Sequence, residues 1–404
     1  MTEIGMTDLA AAKARVCAEV DRLADRLIDA SHRIHANPEL NYEEHHAHDL
    51  LTSILADEHV PTQQHAWDLA TAFDGAAGEQ GPTIAVLCEY DALPVIGHAC
   101  GHNVIATAGL GAGLAAAALA SDLGGRVRIM GTPAEEGGGG KIRMARVGAF
   151  AGIDAAMMVH PADADLISMD TIAVQELHVH YHGKAAHAAA APWEGRNALD
   201  AAVLGYTSVA ALRQHIRPTE RIHGIILRGG DKANVVPDET SMEWMVRSAT
   251  IESLQPLKDR VFACLDSAAT ACGCSMTHQW AGETYADMID NGPMVASYVA
   301  NMAALGRTVQ DPAAVGRRVV GSTDMGNLSY LVPSIHPMIK VAADGVAIHT
   351  KDFAEWAVSA DGDRAVLDGA KAMAMTVVDL WADERLLSAT QAAFATRPTG
   401  VDVL

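Results

Sequence analysis

Aromatic residues are scarce: Phe, Trp and Tyr make up 4% of the 404 residues. A core without them has to be built from Ala, Val, Leu, Ile and Met. That suits helices packed on parallel strands better than a sandwich of large aromatics. Cysteine is sparse too. Six residues at irregular spacing cannot form a disulfide scaffold in so long a chain. Cys17, Cys88 and Cys264 read as small buried hydrophobes, and the C-G-C of Cys272 and Cys274 lacks a second pair to complete a zinc site. Basic residues are outnumbered, 29 against 50 acidic, for a formal net charge of −21. Such a surface repels nucleic acid. No apolar run is long enough to span a bilayer, and the first residues carry spaced charges in place of a signal-peptide core. The expectation is a cytoplasmic protein with neither a nucleic-acid nor a membrane partner.

What is present is an alternation of strand and helix. Residues 7–34 have helical periodicity, with apolar positions at Leu9, Val16, Val20, Leu23 and Leu27. A second helical stretch is expected from near Tyr42. "PTIAVLCEY" (82–90), "GRVRIMGTPAEEGGGG" (125–140) and "GIDAAMMVHPAD" (152–163) each start as a short apolar strand and end in a polar loop. Helices are expected at 103–120 and after 140, so these strands belong to a mostly parallel sheet. From 173 the order becomes β-α-β-β-α-β, the ferredoxin-like arrangement, before helical patterns resume at 293–305 and 364–384. The fold class expected is α/β, with a mostly parallel-sheet domain of residues 1–172 and 291–404 interrupted by an α+β domain of residues 173–290.

Three groups of donors fall just after the three parallel strands, where ligands bind in open α/β sheets. Cys100 and His102 follow the first strand, Glu135 and Glu136 the second, and His160 the third. Thiolate, imidazole and carboxylate together suit zinc, manganese, iron or cobalt rather than calcium or magnesium. The Glu pair fits a division of labour, one carboxylate holding a metal and its neighbour taking a proton from the attacking water. "AIHTKDF" adds His349, beside Thr350, which could orient it. Asp91 is placed to orient a ligand, and His98 reads as a supporting loop residue. The "HHAH" of 45–48 reads as a solvated helix face. "GLGAG" (109–113) lies inside a helix, so it is no dinucleotide fingerprint, and "GGGGKI" lacks the Ser/Thr of a phosphate loop. No G-x-S-x-G elbow occurs, which weighs against a serine hydrolase.

"HANPELNYEE", "EYDALPVIGHACGHN", "TPAEEGGGGK", "GKAAHAAAAPWEGRNALDA", "GGDKANVVPD", "GSTDMGNLSYLVPSIHP" and "AIHT", in that order, resemble the M20 metallopeptidase/amidohydrolase family. Asn103 after "CGH", where many of the branch carry Asp, and "GSTDMGN" are similar to its aminobenzoyl-glutamate hydrolase and β-alanyl dipeptidase-like subgroup. The resemblance implies a homodimer formed through an inserted lid domain. It also implies two divalent ions per subunit (zinc or manganese), with Cys100 as the bridging ligand and His102, Glu136, His160 and His349 as the others. Glu135 matches the general base. His187 matches the lid histidine that steadies the oxyanion in a neighbouring subunit's site, and Asn234 a lid residue that holds substrate. The expected activity is hydrolysis of a small N-acyl or aminobenzoyl amino acid or a dipeptide, an unusual aromatic amine or amide being the alternative. A non-catalytic metal-binding regulatory subunit is the rival from another class, and the completeness of the six donors argues against it.

Overall fold

The computed structural model describes residues 6–315 and 320–404. The chain divides into two compact units, one of residues up to Asp170 and Met288–Gly400, the other of Thr171–Asp287 with Val401–Val403.

In the first unit a six-stranded sheet runs in the order Thr62–Gln64, Phe73–Ala77, Arg126–Gly131, Thr83–Cys88, Ala155–Met157 and Ser334–Ile335. The last four are mutually parallel, and the first two are added antiparallel at one edge. Thr83–Cys88 is buried along its whole length, as a central parallel strand covered on both faces must be. Helices Met6–Ala36, His102–Ala117 and Ala360–Ala382 pack on one another, and Val16, Val20, Leu23 and Leu27 of the first are all in the core. A Cβ on Gly109 would come within 2.3 Å of the Leu87 carbonyl oxygen, so this glycine is what lets its helix lie on the central strand. "GLGAG" is a packing device.

The second unit has strand Ala173–His182, helix Ala198–Leu212, strands Arg221–Arg228 and Glu239–Ser248, helix Ile251–Ala271 and strand Ser275–Tyr285. Its four strands pair antiparallel in the order fourth, first, third, second, which is the ferredoxin-like topology. Thr240, Met242, Trp244 and Val246 alternate inward along one strand. Both helices are capped from the side chain, by Asn197 and by a Thr250–Ser253 capping box.

Three local expectations are corrected. The second helix starts at His45, because Tyr42 is in the left-handed region (φ 66°) and the Glu44 carboxylate accepts its N–H. The "HHAH" stretch is not a solvated face: His48 is 1% exposed and stacks on His65 with ring centroids 4.8 Å apart. The strand expected over 152–163 breaks into Ala155–Met157 in the main sheet and His160–Ala162, which pairs with Met338–Lys340. Among the described residues, no helix is long and apolar enough to cross a membrane.

Candidate metal centre and active site

The parallel strands deliver their donors to one end of the sheet. Thr83–Cys88 runs directly into Glu89 and Asp91, and the loop that follows carries Cys100 and opens helix His102–Ala117 through Gly101 at φ 79°. Arg126–Gly131 leads to Glu135 and Glu136, and Ala155–Met157 leads to His160. His349 arrives from the far end of the chain, its N–H donated to the Ala99 carbonyl at 2.8 Å.

Cys100 is the hub. One donor atom each from Cys100, His102 and His160 lies within 4.8 Å of the others, and the same holds for Cys100, Glu136 and His349. A third set, Glu89, His102 and Glu135, meets the same limit. Cys100 Sγ is 3.3 Å from His160 Nε2, and His349 Nε2 is 3.2 Å from Glu136 Oε1. His102 and His160 each contact an oxygen through Nδ1, on Asp91 at 3.0 Å and on the Pro161 carbonyl at 2.8 Å. With those protons committed, both rings turn an Nε2 lone pair inward. His102 Nε2 is buried without a hydrogen-bond partner. Leaving such atoms unpaired is costly, so this donor set fits divalent cations of the zinc or manganese class.

The electrostatics are those of a buried acidic pocket. Burial, then the Glu89 and Glu136 charges, holds the Glu135 carboxyl well above the usual carboxylate range, which makes it a stronger base than an ordinary carboxylate. Burial also pushes the Cys100 thiol up. Burial and the neighbouring His102 push His160 down to about 3, keeping it a neutral donor.

The structure also shows what the local sequence does not. Lys141, fully buried, pairs with Glu89 and with Asp324 Oδ1, the latter at 2.7 Å. Glu44, at 0% exposure, accepts the Ala134 N–H at 2.9 Å and so holds the residue before Glu135, which sits at φ 60°. The signals available were a second carboxylate in "EYD" at a strand end and a solitary Lys closing "GGGGK". Thr350 does not orient His349; it caps helix Lys351–Trp356, accepting the Phe353 N–H and donating to the Ala347 carbonyl. Asn103 donates to Ser31 Oγ and to the Ala357 carbonyl, and the carbonyl is an acceptor that an ionised Asp could not serve. His98 is buried and belongs to none of the donor sets among the described residues.

His187 and Asn234 lie in the second unit, where the structure brings them side by side. His187 bridges Val235, and the Asn234 carbonyl accepts the Ala188 N–H at 3.2 Å. His187 is exposed, and its Nδ1 accepts the Ala189 and Ala190 N–H groups at 3.3 and 3.2 Å. The neutral ring therefore carries its proton on Nε2.

A cradle of Cys, His and Glu donors at the strand ends of this sheet, interrupted by a ferredoxin-like unit, defines a metal-dependent hydrolase of amide bonds. The chain belongs to the M20 family of metallopeptidases and amidohydrolases. The family model described as a peptidase dimerisation domain matches residues 174–271. The Xaa-Arg dipeptidase of Mus musculus is 39% identical over 396 residues, covering 95% of this chain and 92% of that one. One of the p-aminobenzoyl-glutamate hydrolase polypeptides of Escherichia coli (strain K12) is 29% identical, with 92% of each chain covered. Solved structures with the same fold include a putative aminohydrolase from methicillin-resistant Staphylococcus aureus (TM-score 0.78, 18% identity, 91% of this chain and 99% of that one). A dinuclear metal-binding M20 peptidase of Bacillus subtilis is another (TM-score 0.69, 20% identity, 89% and 99%).

Proposed function

We propose that this chain hydrolyses the amide bond of a small dipeptide or N-acyl amino acid, aminobenzoyl amino acids included, at the Cys100-centred cradle. The observation that carries this reading is that two donor sets share Cys100, while Glu135 stands in a third set beside them. Cys100, His102 and His160 would hold one ion and Cys100, Glu136 and His349 the other. When bound, two divalent ions of the zinc or manganese class supply polarisation of the amide carbonyl and a more acidic water. Glu135 takes the proton of that water and passes it to the leaving amine. His187, with its proton on Nε2, steadies the oxyanion, and Asn234 beside it holds substrate. The 39% identity to an Xaa-Arg dipeptidase favours a dipeptide ending in a basic residue as the first substrate to try.

The second unit is proposed to make a homodimer. Strand Arg221–Arg228 is at the edge of its sheet and exposes Ile225, Ile226 and Leu227, while helix Ala198–Leu212 exposes Val203, Leu204 and Tyr206. An apolar sheet edge of this kind is used for pairing or has to be blocked. In that dimer His187 serves the neighbouring subunit. All six cysteines are free thiols, which supports a reducing, cytoplasmic location.

The test is amine release from dipeptides ending in Arg or Lys, β-alanyl dipeptides, aminobenzoyl-glutamate and N-acyl amino acids. It uses zinc- or manganese-loaded protein with Glu135→Gln as control. Release by the wild type, and its loss in a variant that still binds metal, is the expected result. Silence across the panel by metal-loaded protein overturns the substrate class, and loss of metal from Glu135→Gln reassigns Glu135 as a ligand.

A further inference from the structure

Lys141 is among the largest fully buried side chains of the molecule, and the charge on it needs explaining. A lysine at 1% exposure persists only where it is paired. Its partners, Glu89 and Asp324, are themselves at 1% and 0%. Asp324 grips the residue twice, Oδ1 taking the ammonium at 2.7 Å and Oδ2 the backbone N–H at 2.9 Å. Glu89 places Oε2 on the ammonium and leaves Oε1 3.2 Å from His102 Nε2. Each nitrogen of the His102 ring thus faces a carboxylate, Asp91 on one side and Glu89 on the other. The two carboxylates differ in kind. Asp91 takes a hydrogen bond from Nδ1, whereas Glu89 lies beside the nitrogen that has no hydrogen-bond partner.

The loop is built to bring this about. A Cβ on Gly140 would come within 1.8 Å of the Pro133 carbonyl oxygen, so glycine there lets the segment carrying Glu135 and Glu136 fold back onto the start of the helix carrying Lys141. One short stretch therefore presents two carboxylates to the pocket and a counter-charge beneath it.

We propose that Lys141 is a positioning residue of the metal centre. By holding Glu89 through Oε2, with Asp324 as its anchor, it fixes Oε1 against His102 Nε2 and makes Glu89 an additional carboxylate wall of the cradle. This rests on the reading of Cys100, His102 and His160 as ligands. Glu89 released from the ammonium is free to turn away from His102 or to crowd the nitrogen that should hold the ion. In either case the His102 side of the cradle loses its shape. Partners of ligating residues typically alter metal affinity 10–100-fold when removed.

The experiment is a cobalt(II) titration of the metal-stripped full-length protein. Binding is followed by calorimetry and by the thiolate-to-cobalt absorption band that Cys100 contributes. Lys141→Met and Glu89→Gln are each expected to weaken cobalt binding roughly 10–100-fold and to shift the band. Lys141→Arg, which keeps the charge, is expected to recover most of the loss. Wild-type affinity and an unshifted band in Lys141→Met overturn the proposal. Lys141→Met leaves two buried carboxylates without their shared counter-charge, so if it shows no cooperative unfolding transition, Glu89→Gln, which keeps the Lys141–Asp324 pair, decides by the same criterion. Cys100→Ser separates the two levels. If it loses the band while Lys141→Met and Glu89→Gln match the wild type, only the positioning role fails. A wild-type band in Cys100→Ser removes the metal-centre reading and this proposal with it.

Discussion

Asp91 binds His102 and Glu136 at once, with Oδ1 3.0 Å from His102 Nδ1 and Oδ2 accepting the Glu136 N–H at 2.8 Å. One carboxylate sets the ring of one donor and the backbone of another. Asp91→Asn places an amide where two acceptors are needed, and either orientation leaves one donor facing an N–H₂ group. Metal affinity or turnover is expected to fall about 10–100-fold with little change in fold, measured by metal titration and circular dichroism on the same preparation.

Cys100 belongs to both donor sets built around it. Replacing it by Ser should therefore empty both positions together, whereas His349→Ala should spare the set that His349 does not join. Elemental analysis after dialysis distinguishes the two patterns. Retention of a full complement of metal by Cys100→Ser removes it from the centre.

Glu44 supplies a pH dependence. Burial, then the Asp91 charge, pushes its carboxyl from the ordinary 4.5 up to about 7. The folded protein therefore holds this proton more tightly than the unfolded chain between those values. The contribution is fully present below pH 4.5 and is lost as pH rises through 7, to the extent of about 3 kcal/mol. Glu44→Gln keeps an acceptor for the Tyr42 and Ala134 N–H groups and does not titrate. Denaturant melts at pH 5 and pH 8 should show the variant close to wild type at the lower value and more stable at the higher one.

Gly109→Ala tests the packing of helix His102–Ala117 on the central strand. The added methyl would sit 2.3 Å from the Leu87 carbonyl oxygen, which is backbone and cannot rotate away. A loss of roughly 1–3 kcal/mol is expected in urea or thermal unfolding, as for other overpacked cores. An unchanged midpoint would mean that the helix slides without penalty.

Leu227 is 56% exposed on the edge strand of the second unit. Leu227→Glu adds a charge to an edge that the proposed dimer would bury. Sedimentation velocity should show the wild type as a dimer and the variant as a monomer, and a dimeric variant relocates the interface.

The fold is legible wherever periodicity is unambiguous. Helix Met6–Ala36 follows the 3.6-residue apolar repeat, and Glu239–Ser248 alternates with period two. Phe73–Ala77, "FDGAA", does not announce itself as a strand, because Asp, Gly and Ala are poor strand formers and the antiparallel partner supplies the order. The residues of the candidate centre are legible because a thiol, imidazoles and paired carboxylates at strand ends have few structural reasons to be there, and the structure brings them within reach of one another. Lys141 is not: its partner Asp324 is 183 residues away, and no local pattern announces a pairing at that distance. The burial of His48 is hidden because a helix start rich in histidine has no apolar repeat to reveal which face turns inward.

The interruption of the first unit by the second bears on the order in which the protein can be made. Residues 171–287 are contiguous and are complete before any of 288–400 leaves the ribosome, so the inserted unit can close while its host is unfinished. The host lacks strand Ser334–Ile335, helix Ala360–Ala382, Asp324 and His349 until the chain beyond the inserted unit has been made. In that interval Val16, Val20 and Leu27 have no cover from the last long helix, and the cradle has neither the anchor of Lys141 nor its last donor. Cys100, His102 and His160 are in place before the inserted unit is made, but the set of Cys100, Glu136 and His349 can be completed only afterwards, so the cradle is assembled in two stages separated by the whole of the inserted unit.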